Sequence, residues 1–112
     1  MDLLENKKCK PCTGNTEILT FDKKNQLISD LNDWTLNDNK DMIFKKFIFN
    51  NFKNTLHFVN LIGNLAEEEG HHPDISLGWG YCLIMIHTHA IKNLSINDFI
   101  LASKIDKIEK KI

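Results

Sequence analysis

Apolar positions recur along this chain at two intervals, and the changes of interval mark its elements. From Thr20, the residues Phe21, Lys24, Ile28 and Leu31 fall on one stripe. That spacing predicts a first helix capped by Thr20 and ending near Asn32–Asp33. Trp34-Thr35-Leu36 then reads as a short strand, Leu36 to Lys40 as turn chemistry, and Met42 to Phe49 as the return strand of a hairpin. On that strand Ile43, Lys45, Phe47 and Phe49 share one face, and Met42, Phe44, Lys46 and Ile48 the other. Neither face is cleanly polar, so one is expected to meet helices and the other a ligand or partner.

Asn51 to Glu69 carries the longest helical pattern, with Phe52, Leu56, Val59, Ile62 and Ala66 as its stripe, widened by Phe58, Leu61 and Leu65. Gly70 follows where a left-handed residue closes a helix, and Pro73 pushes His72 into an extended conformation. Ile75 to Leu77 and Tyr81 to His89 predict two more strands around Gly78-Trp79-Gly80. Ser95 caps a last helix running to Ile112, with Phe99, Ala102, Ile105, Ile108 and Ile112 as its stripe. The predicted order, α-β-β-α-β-β-α with short connections, is an α+β domain with helices on one face of a small antiparallel sheet.

Composition narrows the function classes. At 112 residues the chain suffices for one domain. Residues 1–17 lack periodicity and are expected to be a flexible arm, leaving 18–112 as the domain. All 14 basic residues are Lys. Without Arg, the planar fork that reads phosphates and guanine edges is missing, so no direct nucleic-acid binding is expected. No apolar run reaches the ~18 residues a membrane span needs. Three cysteines make an odd set, which points to a reducing compartment. Cys9 and Cys12 form a lone CxxC, short of the four ligands of a structural zinc site. Met1 to Glu5 lacks the positive, then apolar, character of a signal peptide, so a cytoplasmic chain is expected.

Four of the five histidines, His71, His72, His87 and His89, fall within nineteen positions. If the turn after the long helix meets the end of the last strand, they converge on one rim. Imidazole titrates near pH ~6.5 and both gives and takes protons, so convergence points to proton transfer or to a metal. His87 and His89 point the same way on a strand and could chelate. The adjacent His71 and His72 diverge, and no carboxylate or thiolate completes a familiar spacing, so no catalytic metal is expected. Asp98, three residues after Ser95, fits a capping box that could be its whole purpose. Glu67, Glu68 and Glu69 end a helix, where its dipole disfavours acids, so at least one is expected to have a task besides solvation.

Glu67-x-x-x-His71-His72-Pro73, followed by Thr88-His89-Ala90 and Leu94-Ser95-x-x-Asp98-Phe99, resembles the signature of the pterin-4a-carbinolamine dehydratases. Trp34, Ile43-Phe44-Lys45-Lys46-Phe47 and Ile100 to Asp106 extend the resemblance in order from about Thr20 to Asp106. The arm Cys9-Lys10-Pro11-Cys12-x-Gly14 resembles an extension found in many non-animal members.

The resemblance implies a four-stranded antiparallel sheet with three helices packed on one face. It implies dehydration of 4a-hydroxytetrahydropterin to quinonoid dihydropterin, in tetrahydrobiopterin recycling, without a metal or organic cofactor. His71, His72 and His89 fall on the family's catalytic histidines, and Asp98 and Glu67 on its supporting acids. His71 and His89 are expected to exchange protons, and His72, Trp34 and Thr88 to hold the pterin. Asp98 is expected to fix the His89 tautomer and Glu67 to orient the turn. A homodimer or homotetramer is implied. Some members are dimerisation cofactors of a transcription factor, so a binding module is the alternative. Two departures stand out: His87 occupies a position not usually histidine, and Gly78-Trp79-Gly80 looks loose.

Overall fold

The computed structural model describes residues 3–112 and orders them as α1 (Phe21–Ser29), β1 (Thr35–Leu36), β2 (Ile43–Ile48), α2 (Phe52–Glu69), β3 (Asp74–Gly78), β4 (Tyr81–Ile86) and α3 (Ile96–Lys111). Short 3-10 turns lie at Leu4–Asn6 and His89–Ile91. The strands form one antiparallel sheet in the order β1-β2-β4-β3. This is the expected α+β arrangement. Among the described residues no helix is long and apolar enough to cross a membrane.

Strand alternation decides what each face of the sheet meets. Ile43 and Phe47 of β2 and Cys82, Ile84 and Ile86 of β4 turn inward, where Leu27, Phe58, Ile62, Phe99, Leu101 and Ile105 of the helices complete the core. Lys45 shares that inner face because Asp106 of α3 receives it at 2.9 Å. The indole N–H of Trp34 donates to the same carboxylate at 3.0 Å. The opposite face carries Phe44, Ile48, Tyr81, Leu83 and Met85, and among the described residues no helix lies over it.

Two helices bury most of their predicted stripes but leave the first apolar residues outside. In α2 the buried residues are Thr55, Phe58, Ile62 and Ala66, while Phe52 and Leu56 are exposed. Thr55 can be buried because its hydroxyl shares its hydrogen between the carbonyls of Asn51 (2.9 Å) and Trp79 (3.3 Å). Phe58 enters between the rings of Phe47 and Phe49, with centroids 4.9 and 5.1 Å away. Filling that slot is worth more than covering Phe52, since emptying a buried Phe site costs about 3–5 kcal/mol. In α1, which stops at Ser29, Phe21 is exposed and Lys24 is buried with Leu27. The Lys24 Nζ donates to the Lys40 carbonyl at 2.6 Å and to Asn93 Oδ1 at 2.8 Å. Burial lowers its pKa. Ile112, expected in the stripe of α3, is exposed at the helix end.

Glycines close the turns. Gly70 takes the left-handed conformation (φ 65°) after α2 and starts the descent to β3. The segment Gly78-Trp79-Gly80 is tight rather than loose. Gly78 pairs with Tyr81 across a two-residue hairpin loop, and a Cβ on Gly78 would meet the Tyr81 ring at 2.3 Å.

The arm is held against the domain. The Cys9 N–H donates to Glu69 Oε1 at 2.9 Å and the Lys10 N–H to Asn97 Oδ1 at 3.0 Å. Asn97 Nδ2 returns a bond to the Lys10 carbonyl at 2.7 Å. Glu69 also receives Lys104 of α3 at 2.8 Å. One of the three helix-ending acids therefore clamps the arm to two helices. Burial, then the charge of Glu69, push the Cys9 thiol up to about 12.

Candidate active site

Asp98 organises the corner where the histidines meet. The Ser95–Asp98 capping box exists as the sequence predicts, with the Ser95 N–H donating to Asp98 Oδ2 at 2.9 Å. The cap uses only part of the carboxylate. The Thr88 hydroxyl donates to the same oxygen at 2.8 Å, and Oδ1 lies 2.6 Å from His71 Nε2. Asp98 is 0% exposed and His71 5%. A buried carboxylate without partners would cost several kcal/mol, and these three contacts satisfy it. Through it the turn after α2 is joined to the segment after β4.

The partner of Asp98 is thus His71, not His89 as expected. The reason is topological. The left-handed Gly70 drops His71 beneath the start of α3, whereas Thr88, directed inward by strand alternation, leaves its neighbour His89 outside. An ionised Asp98 can only accept, so His71 Nε2 carries the hydrogen, and in the neutral imidazole Nδ1 is left to accept. Facing Nδ1 at 3.6 Å is the sulfur of Cys12, which receives Asn97 Nδ2 at 3.1 Å. The arm therefore places a thiol on the free nitrogen of His71.

His72 turns the other way. Its Nε2 lies 2.5 Å from Glu67 Oε2, with side chains 57% and 78% exposed. His89 is exposed in the 3-10 turn, its ring 4.2 Å from that of His87. Asp74, two residues beyond His72, has a carboxylate oxygen within 4.8 Å of nitrogens of both. Asp74 therefore links the start of β3, just after the double-histidine turn, to the His87–His89 segment, with His72 and His89 both exposed to solvent. The cavity of about 530 Å³ lined by Ile48, Phe49, Asn54 and His57 holds none of these four histidines.

Two residues expected on the substrate are elsewhere. Trp34 is buried with its ring edge-on to Phe47 and its N–H given to Asp106, so it offers no face to a ligand. Thr88 is fully buried, its hydroxyl hydrogen used by Asp98 and its oxygen 2.7 Å from Ser95 Oγ. Conversely, Cys12, Asn97 and Asp74 reach the site without having been singled out for it. The CxxC marks Cys12 as unusual, but nothing local says that it lands on a histidine.

Comparison with known proteins bears on the family and the fold. Residues 17–108 match the profile of the family described as Pterin 4 alpha carbinolamine dehydratase. A Methylococcus capsulatus protein provisionally named as that dehydratase is 42% identical over 105 residues, covering 94% of this chain and 92% of its own. One from Alkaliphilus metalliredigens, named likewise, is 44% identical over 107 residues, with 96% of each chain covered. Among solved structures, a transcriptional coactivator/pterin dehydratase from Brucella melitensis superposes with a TM-score of 0.78. Its 24% identity spans 82% of this chain and 98% of that one, and the likeness is one of fold. A pterin dehydratase-like RuBisCO assembly factor of the alpha-carboxysome has a TM-score of 0.60 at 26% identity, over 69% of this chain and 89% of its own. With 94–96% of its length matched by relatives at 42–44% identity and residues 17–108 matched by the family profile, this chain belongs to the pterin-4-alpha-carbinolamine dehydratase family.

Proposed function

We propose that the protein dehydrates 4a-hydroxytetrahydropterin to quinonoid dihydropterin, the step that returns the oxidised cofactor of a pterin-dependent hydroxylation to the tetrahydrobiopterin cycle. The C4a–O bond breaks, the oxygen leaves as water after taking a proton, and the N5 proton departs as the C4a=N5 bond forms. One acid and one base suffice, each typically worth ~10²–10⁴-fold in rate. The reading is supported by the carboxylates paired with His71 and His72, and by the links from their turn to the last strand's end, through Asp98 to Thr88 and through Asp74 to His87 and His89.

Exposure divides the work. His72, paired with Glu67, and His89 face the solvent and are the groups that touch the pterin and move its protons. His71, held by Asp98 and met by Cys12, sets the geometry of the corner and joins the exchange once the thiol moves aside. A coupled assay of 4a-hydroxytetrahydropterin decay tests this with His71→Ala, His72→Ala and His89→Ala. Loss of about 10²–10⁴-fold in the His72 and His89 variants is expected. Decay as fast as wild type in all three would overturn the reading.

A binding role is the second reading, favoured by the uncovered sheet face with Phe44, Ile48, Tyr81, Leu83 and Met85. Covering it in a homodimer or homotetramer would also help to enclose the exposed histidines. The two readings separate in His72→Ala, which should lose catalysis and keep any partner.

A further inference from the structure

We propose that Asp74, His87 and His89 bind one divalent transition-metal ion, of which zinc is the representative, at the edge of the uncovered sheet face. His87 continues the outward row of Tyr81, Leu83 and Met85, two residues beyond Met85. Asp74 opens β3 directly opposite Met85, which makes it the diagonal neighbour of His87 on the same face. The 3-10 turn then brings the His89 ring over that of His87, with centroids 4.2 Å apart and planes at 54°. The result is two imidazoles and one carboxylate with a donor atom of each within 4.8 Å of the others. No spacing in the sequence pairs these histidines with an acid. The carboxylate comes from the adjacent strand.

A second observation concerns one of the same residues. His87 Nδ1 is buried and has no hydrogen-bond partner. A buried polar atom without a partner calls for one, and ring nitrogens are common metal donors. Tetrahedral zinc with bonds of 2.0–2.1 Å sets its donors about 3.3 Å apart. Closing the triangle to that size takes side-chain rotation of about an ångström at the exposed Asp74 and His89, with water as fourth ligand. The donor set selects the metal class. Imidazoles favour zinc, nickel, copper or cobalt, whereas magnesium and calcium want more oxygens than the single carboxylate supplies.

Occupancy has a consequence that rests on the proposed dehydratase reading. An ion held by His89 takes a ring nitrogen out of proton exchange, so the metal is an inhibitor of turnover and not its catalyst. Binding itself stands apart from that reading.

The test uses the full chain, stripped with a chelator and titrated calorimetrically with zinc chloride, in a Cys12→Ser background so that the CxxC thiols do not compete. One ion per chain is expected, with affinity at least tenfold weaker in His87→Gln and in Asp74→Asn, since even second-shell partners are worth ~10–100-fold. Cobalt substitution should give tetrahedral visible bands without the near-ultraviolet thiolate charge-transfer band. In the dehydratase assay, zinc should inhibit wild type while His87→Gln keeps its basal rate and becomes at least tenfold less sensitive. Absence of stoichiometric binding, or binding unchanged in both His87→Gln and Asp74→Asn, would overturn the site. A protein inactive on the pterin would still report zinc binding, so the two proposals fail separately.

Discussion

Asp98 concentrates three roles in four atoms: it caps α3, ties the Thr88 segment to that helix, and sets which nitrogen of His71 carries the hydrogen. Asp98→Asn separates these roles. The amide oxygen can keep the Ser95 N–H and Thr88 bonds, but the amide nitrogen then faces His71 Nε2 and must donate to it. The imidazole is forced into the other tautomer, with its hydrogen on Nδ1 facing Cys12. The expected result is a fold weakened by about 1–3 kcal/mol and turnover reduced by about 10²–10⁴-fold. Nitrogen-15 shifts of the ring report the tautomer directly, and an unchanged His71 spectrum would refute the assignment. The residue types at this corner are legible in the chain: a capping box, a histidine pair and a Thr-His are all visible as strings. Their pairing is not. Ser95-x-x-Asp98 declares a cap, but the second oxygen of the carboxylate is free to meet whatever the fold brings, and α2's exit brings His71.

Elements follow their periodicity in kind more faithfully than in facing. Each predicted helix and strand exists, and the ends marked by Thr20, Asn51, Gly70 and Ser95 fall where capping chemistry puts them. Ile62 and Ala66 of α2 turn inward as predicted, but the exposure of Phe52 and Leu56 was not legible. Phe52, Leu56 and Phe58 are all apolar, and only the slot between Phe47 and Phe49 decides among them. Gly70 is the element-scale feature most directly coupled to the site. No atom lies within 4 Å of a Cβ placed there, so Gly70→Ala meets only the backbone penalty of the left-handed region. That penalty is about 1–2 kcal/mol, several degrees in Tm for a domain of this size. Thermal unfolding should show that loss, with a further drop in turnover if the alanine relaxes by shifting the His71–His72 turn. No change in Tm would mean that the turn is not held in this conformation.

At the scale of the whole molecule, one acid joins the arm, α2 and α3. Burial works to raise the pKa of Glu69, but the Cys9 N–H and the lysines at 104 and 8 outweigh it, so its pKa lies below the usual glutamate value. A lowered folded pKa contributes stability above the unfolded value near 4.5, and that contribution is lost as the pH falls through the folded one. Glu69→Gln should therefore cost about 1–2 kcal/mol at pH 7 and much less once the pH has fallen through the folded pKa, where the wild-type carboxyl is also neutral. Amide exchange at Cys9 and Lys10 should quicken in the variant at pH 7. Equal exchange in both proteins would show that Glu69 does not hold the arm. The arm also marks the limit of local reading. Its polar, aperiodic sequence predicts an appendage, yet three backbone groups of Cys9 and Lys10 find partners on Glu69 and Asn97, some 60 and 87 residues away. Periodicity, caps and turns were enough to establish the α+β order, because each is settled by neighbours within a few residues. The partners of His71, the inward seat of Trp34 and the meeting of Asp74 with His87 and His89 needed the folded chain, because a side chain's pairing depends on which distant surface arrives opposite it, and no local spacing encodes that.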